Sequence, residues 1–480
     1  MIFNSFEFIF LFLPIVFIVY YLFNKVNFTI SKVWLLFASL FFYGYWNPKY
    51  LPLILVSLVV NFAIGSYLSR RNIHSFRKTI LTIGIVFNVC LLGYYKYYDF
   101  FVENVNSFFG TSLPVLHLLL PLAISFYTFQ QIAYLVDSYR RETENYNFLN
   151  YGIFVTFFPQ LIAGPIVHHS DVIPQFEDRK NRKINYENIS LGLFIFAIGL
   201  FKKVVIADTF AIWANKGYAM TESLTFLDSW ATALAYTFQL YFDFSGYSDM
   251  AIGLGLLFNI KLPINFNSPY KALDIQDFWR RWHITLSGFL TKYIYIPLGG
   301  NRKGTARTYI NIFIIFFISG IWHGAGWTFI LWGTLHGLAS IITRLWKKSG
   351  FKLNKWVAWF ITFQFVNATW VFFRAPSISE ALNVLKAMVG LNGIYISREF
   401  KVYLTDISSV HFYEFPIEQS LVYIFSSLLI GMIIAFLMKN SIELTKNMKP
   451  NWFNVAFTSA LLLYCFTQLL NVSEFLYFNF

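Results

Sequence analysis

Apolar runs dominate this chain from residue 6 to residue 472, and the polar stretches between them are short. The runs fall at 6–23, 33–46, 51–68, 79–98, 113–136, 150–167, 189–215, 227–260, 309–345, 356–374, 421–438 and 453–472. A helix needs about 20 residues to cross a bilayer, so the pattern predicts an all-α, polytopic integral membrane protein with about 11 transmembrane helices. The runs at 33–46 and 150–167 are expected to be re-entrant or tilted, because Trp46-Asn47-Pro48, Phe158-Pro159 and Gly164-Pro165 interrupt them. Such breaks survive at membrane depth only inside protein or beside a water-filled cavity, which points to a central chamber. No polar block is large enough to fold separately, so residues 1–480 are read as a single transmembrane domain. The first run lacks a preceding basic segment and a following small-residue cleavage site, and is read as a retained span.

Composition agrees with this picture. Charged residues make up only 13% of the chain, against about a quarter in soluble domains. The net charge of +13 does not indicate nucleic acid, because the cations lie in short loops between apolar runs. Positive-inside topology and anionic headgroups account for them. Arg70, Arg71, Arg77 and Lys78 form one basic loop, and Arg344, Lys347, Lys348, Lys352 and Lys355 another; both are expected in the cytoplasm. Counting spans from these loops, past Lys446 and Lys449, places both termini outside. The 377–420 loop, with Glu380, Glu399, Asp406, Glu414 and Glu418, reads as external. Cys90 and Cys465 lie in apolar runs without a CxxC pair, so neither a disulfide framework nor a metal site is indicated.

Ionisable residues inside apolar runs are functional suspects, since each costs about 2.5–3.5 kcal/mol on insertion scales. Asp243 and Asp249 are two, within Tyr241-Phe-Asp-Phe-Ser-Gly-Tyr-Ser-Asp249. Six helical residues turn through roughly 240° relative to one another, so the two carboxylates do not share a face as an acid/base pair. They either anchor a cation such as Arg280 or Arg281 or line a polar cavity. In Asp277-Phe-Trp-Arg-Arg-Trp-His283, which opens the apolar stretch containing Ser287, Asp277 meets both arginines at helical spacing. Trp279 and Trp282 then act as interfacial anchors with snorkelling arginines, or the guanidinium groups cradle phosphates of an acyl carrier. His323 follows Trp322 and precedes Gly324-Ala325-Gly326-Trp327. A lone histidine in an apolar helix is ordinarily a packing residue. Yet an imidazole, with an ordinary pKa of about 6.5, also suits the removal of a proton from a hydroxyl attacking a thioester. His336 lies roughly 220° away on a continuous helix and reads as a packing or hydrogen-bonding residue. In His168-His169-Ser-Asp171 the adjacent histidines cannot share a helical face, so a loop role is expected rather than a metal site. The chain carries no GxSxG, HExxH, P-loop or HxxxxD pattern.

The whole chain resembles the bacterial branch of the membrane-bound O-acyltransferases, proteins such as the alginate and peptidoglycan O-acetyltransferases. The resemblance rests on Phe12-Leu-Pro14, Leu120-Pro-Leu-Ala-Ile-Ser-Phe-Tyr-Thr-Phe-Gln130 and Phe158-Pro-Gln-Leu-Ile-Ala-Gly-Pro165. It continues through the Tyr241–Asp249 and Asp277–His283 segments, Ile296-Pro-Leu-Gly-Gly-Asn-Arg302, Trp322-His-Gly-Ala-Gly-Trp327 and Trp370-Val-Phe-Phe-Arg-Ala375. It implies a funnel with His323 catalytic at its waist, as base or acyl carrier, and His283 in the same core. Trp279, Arg280, Arg281, Asp243, Asp249, Ser287, Trp322, Trp327 and His336 are then donor-binding or supporting residues. It further implies an acetyl-CoA or other acyl-thioester donor, no bound cofactor and a periplasmic partner resembling SGNH hydrolases. The expected location is the bacterial inner membrane, with acetyl groups delivered to an envelope polysaccharide. D-alanyl transfer to a teichoic-acid-like polymer, a solute transporter and a docking scaffold are the alternatives.

Overall fold

The computed structural model describes residues 1–70, 76–143, 146–397, 412–413, 420–446, 448, 451–471 and 475–476. Arg71, Glu399, Asp406, Glu414, Glu418, Lys449 and Phe480, used above to orient the chain, lie outside the described residues. The regular structure among the described residues is helical apart from a two-residue strand pair, Ile396–Ser397 with Phe412–Tyr413.

Among the described residues, seven helices are long and apolar enough to cross a membrane: Glu7–Val26, Phe28–Trp46, Pro48–Ser69, Arg77–Phe109, Tyr186–Tyr218, Thr305–His323 and Lys355–Arg374. The count falls short of 11 for local reasons. The 113–136 run is non-helical until Ile124, where a helix rich in buried polar groups runs to Arg140. The 150–167 run is broken, as expected. Phe148–Thr156 ends at Phe157, one short turn follows over Phe158–Leu161, and the chain then stays non-helical to His168. All of it is buried in protein up to Val167, which is what lets irregular backbone persist. The 33–46 run corrects the expectation. Phe28–Trp46 is an unbroken helix, and Asn47-Pro48 ends it rather than kinking it, with the Asn47 side chain accepting from Lys49 N.

At the centre stands Phe226–Leu257, 32 residues opened by a reciprocal cap between Thr225 and Asp228. Nearly every residue is buried, so the helix is wrapped by protein rather than lipid. Its closest neighbour is the 186–218 helix. Gly192 and Gly199 on one side meet Gly253 and Gly246 on the other, and a Cβ added to Gly199 would stand 2.6 Å from the Gly246 carbonyl oxygen. Backbones can approach this closely only where small residues face each other. The approach brings two lysines to the two carboxylates. Lys202 reaches Asp249 at 2.6 Å and Lys203 reaches Asp243 at 2.8 Å. Ser441 Oγ also donates to Asp249, and the Leu476 amide to Asp243. A widened π-type turn over Lys202–Ala207 lets adjacent lysines serve carboxylates six residues apart. The carboxylates therefore anchor cations, as one reading held, but the partners are Lys202 and Lys203. Arg280 and Arg281 are paired with Asp277 instead.

Two outcomes follow. Gly246→Val should overpack the crossing at a cost of about 1–3 kcal/mol and lower the melting temperature in mild detergent, read by fluorescence-detected size exclusion after heating. Asp249→Leu alone should destabilise by about 3–5 kcal/mol because a buried ammonium loses its partner, whereas Lys202→Met/Asp249→Leu should recover most of that loss in the same assay.

Candidate active site

His323 is the last residue of the Thr305–His323 helix, and Gly324 to Gly326 turn the chain into Trp327–Ser349. The 309–345 run is thus two helices, not one. They cross at glycines, since a Cβ on Gly320 would meet the Phe329 carbonyl oxygen at 2.5 Å. This crossing sets Trp332 against His323, with ring centroids 5.0 Å apart. Trp322 at 4.9 Å and Phe373 at 5.2 Å complete an aromatic surround for a fully buried imidazole.

A helix end leaves carbonyls without intrahelical partners. Here two residues of the Arg77–Phe109 helix supply them. Lys96 Nζ donates to the Trp322 and His323 carbonyls at 2.6 and 3.1 Å, and Tyr97 OH donates to Ile321 O at 2.6 Å. Among the described residues Lys96 has no carboxylate partner. Its charge is met by the negative end of the helix that carries His323. Sequence reasoning passed over Lys96, although a lone cation inside Tyr94-Tyr-Lys-Tyr-Tyr98 was the available signal.

His283 stands 6.3 Å from His323 between ring centroids. It adopts a left-handed backbone, φ 44°, between the short helices Ile275–Trp279 and Ile284–Leu290. The Asp277–His283 block is therefore a bend, not the start of one helix. His283 Nδ1 bonds Asn265 Oδ1 at 3.2 Å, and that same oxygen accepts from Thr285 Oγ1. An oxygen acceptor makes Nδ1 the donor. Nε2 is then a free lone pair, with no partner among the described residues.

The other expected residues divide. Trp322 joins the site, its ring stacked on Phe129 at 5.2 Å. Trp279 and Trp282 are buried, which corrects the headgroup-anchor reading: the bend at residues 280–283 folds both rings into the core. Trp279 Nε1 donates to His336 Nδ1 at 3.1 Å, so His336 Nε2 carries the proton and donates to Thr369 Oγ1 at 3.0 Å. His336 is thus a hydrogen-bonding residue one ring behind Trp332. Ser287 Oγ donates to Trp279 O. Arg280 and Arg281 lie outward on Asp277, and Trp327 is 57% exposed and donates to Asn104.

Beside the His323 turn lies a cavity of about 260 Å³, lined by Tyr94, Lys96, Asp99, Gly324, Ala325 and Phe329. Its wall thus includes both the clamp and the backbone that follows His323.

A second polar cluster lies near the end of the Ile124–Arg140 helix. His168 sits just before the His169–Glu177 helix in extended backbone, so the adjacent histidines do converge, contrary to the helical-face argument. Their partner is Asp137 rather than Asp171, at 2.6 and 3.0 Å from the two Nε2 atoms. Asp137, His168 and His169 have donor atoms grouped closely enough to hold a cation. The Lys292 ammonium already stands 3.2 Å from Asp137 Oδ2, and Tyr293 OH donates to the same oxygen. The cluster reads as a staple joining three segments.

The membrane-bound O-acyltransferase family model matches residues 40–377. A peptidoglycan O-acetyltransferase of Helicobacter pylori is 49% identical, over 100% of this chain and 98% of the relative. A probable alginate O-acetylase of Pseudomonas aeruginosa is 41% identical, over 85% of this chain and 78% of the relative. A teichoic acid D-alanyltransferase of Streptococcus thermophilus is 27% identical, over 52% of this chain and 68% of the relative. The chain belongs to the membrane-bound O-acyltransferase family: it is a multi-pass membrane protein and an acyltransferase.

The Lys96 clamp predicts that Lys96→Met lowers acyl transfer on the order of 10²-fold, the scale of a misplaced reacting group, while the protein still elutes as a single folded species. Lys96→Arg, which keeps the charge and the donors, should restore part of the rate in a side-by-side assay.

Proposed function

We propose that this protein takes acetyl groups from a cytoplasmic thioester donor, acetyl-CoA or an acylated carrier, and passes them across the inner membrane for O-acetylation of an envelope polysaccharide. Peptidoglycan is the first candidate polymer, because the full-length relative at 49% identity is named for it. The observation that carries the chemistry is the pair of buried imidazoles, His323 and His283, 6.3 Å apart, with a cavity against the Gly324-Ala325 backbone that follows His323. The Thr305–His323 helix follows directly after Arg302 and Lys303 and extends 19 residues, about 28 Å, so His323 sits far from those cations. With the basic loops in the cytoplasm, the histidine faces the acceptor side and the donor must reach inward to it. Both chain termini are then external.

In the reaction, the acceptor hydroxyl oxygen attacks the thioester carbonyl while an imidazole nitrogen takes its proton. The C–O bond forms, the tetrahedral intermediate collapses, the C–S bond breaks, and the proton passes to the leaving thiolate. The acceptor is a hydroxyl of a periplasmic partner resembling SGNH hydrolases, which completes delivery to the polymer. Arg280 and Arg281 are the candidates for donor phosphates, although both are engaged with Asp277 in the free protein. D-alanyl transfer has the weaker support, since the teichoic acid relative matches only about half of the chain.

His323→Ala should leave the protein folded in the membrane and abolish polymer acetylation, measured as ester acetate released by mild base from purified wall polymer. Unchanged ester acetate in that variant would sink the assignment. Arg280→Ala/Arg281→Ala should raise the donor concentration needed for half-maximal rate; a lowered maximal rate at unchanged donor dependence leaves them an anchoring role alone.

A further inference from the structure

The turn between the 327–349 and 355–374 helices lies at the opposite end of those helices from His323 and carries a feature of its own. Two apolar slots open beside it. One, about 630 Å³, lies between the two helices and is lined by Ile342, Trp346, Phe351, Ala358 and Ile361. The other, about 550 Å³, lies across the 355–374 helix against Leu421–Phe436, lined by Trp356, Trp359, Leu429 and Ile433. Leu273 and Lys355 line both, so the slots are neighbours sharing one wall. Each volume is in the range of about 300–1,000 Å³ that holds an organic ligand.

The rim is cationic, and its lysines differ. Lys347 is paired with Asp274 at 2.8 Å, and Lys271 Nζ donates to the Met438 carbonyl at 2.7 Å. Lys352 and Lys355 are exposed and have no carboxylate partner among the described residues. The turn holding them is fixed by Gly350, φ 78°, and by the Asn354 side chain accepting from Trp356 N. Phe351 and Trp356 are 74% and 77% exposed beside these lysines, the placement expected of aromatic rings at headgroup level. Two uncommitted ammonium groups thus stand over two adjoining apolar slots.

We propose that this face binds an anionic phospholipid with two phosphates and four acyl chains, the diphosphatidylglycerol class. The phosphates engage Lys352 and Lys355, and one pair of chains enters each slot. Basic pockets between spanning helices are a known setting for such headgroups, and the paired slots are the reason to favour two phosphates over one. The proposal does not depend on which acyl group the enzyme transfers.

The test uses the full chain in phosphatidylcholine nanodiscs, titrated with tetraoleoyl cardiolipin or with dioleoyl phosphatidylglycerol at matched phosphate, with bound lipid read by native mass spectrometry. One cardiolipin per chain should be retained in preference to phosphatidylglycerol. Lys352→Gln/Lys355→Gln should weaken retention about 30-fold, the worth of two headgroup-level charges. Ala358→Trp, which fills one slot and leaves both lysines, should weaken it as well, and Lys303→Gln, at another loop, should not. Equal retention of phosphatidylglycerol at matched phosphate overturns the two-phosphate occupant. Undiminished cardiolipin binding by Lys352→Gln/Lys355→Gln overturns the site.

Discussion

Contact between helix backbones at glycine is the constraint on which this structure depends. At Gly320 and Gly333 it turns one apolar run into two helices that cross tightly, and the crossing delivers Trp332 to the face of His323. At Gly199 and Gly246 it brings a lysine-bearing helix close enough to a carboxylate-bearing one for ion pairs of 2.6 and 2.8 Å. Between apolar helices in lipid there is little hydrophobic drive to associate, so close packing and satisfied polar groups carry the assembly. Close glycine packing occurs at both crossings, and paired charges at the second.

The polar core follows from the same economy. A histidine at a helix end, a lysine against that end's carbonyls and a second histidine oriented by Asn265 form a chain of groups whose partners are mostly oxygen dipoles rather than opposite charges. Dipoles held by backbone do not reorganise when charge develops, which is the electrostatic advantage of a buried site. Trp322 and Trp332 pack against His323 and shield its ring from water.

Much of the fold was readable from the runs, because a residue facing lipid must be apolar and 20 such residues are hard to mistake. The broken segment at Phe158-Pro159 and Gly164-Pro165 was legible for the same reason in reverse. Phe28–Trp46 was misread because Asn-Pro marks a helix end as readily as a kink, and only the packing tells which. In the site, His323 stood out through its motif. Lys96, Lys202, Lys203 and Asp137 did not: apart from Asp208 beside Lys203 and Arg140 beside Asp137, their partners lie from 29 to 227 residues away in the chain, and no local spacing announces such pairs. In the Asp277–His283 block the i+3 and i+4 pairing of Asp277 with Arg280 and Arg281 holds, but the positive φ of His283 reverses the chain, so the block does not open one continuous helix and Trp279 and Trp282 turn into the core.

The burial of the 226–257 helix has a consequence for how the protein is made. Its 32 residues span about 48 Å, beyond the hydrocarbon thickness, and it carries Asp243 and Asp249 into the interior. Each carboxylate alone would resist transfer from the translocon into lipid. The neutralising lysines lie on the helix that precedes it in the chain, so the cost of placing these carboxylates in lipid is offset only when the two helices stand together. The glycine-lined crossing sets how closely they do so.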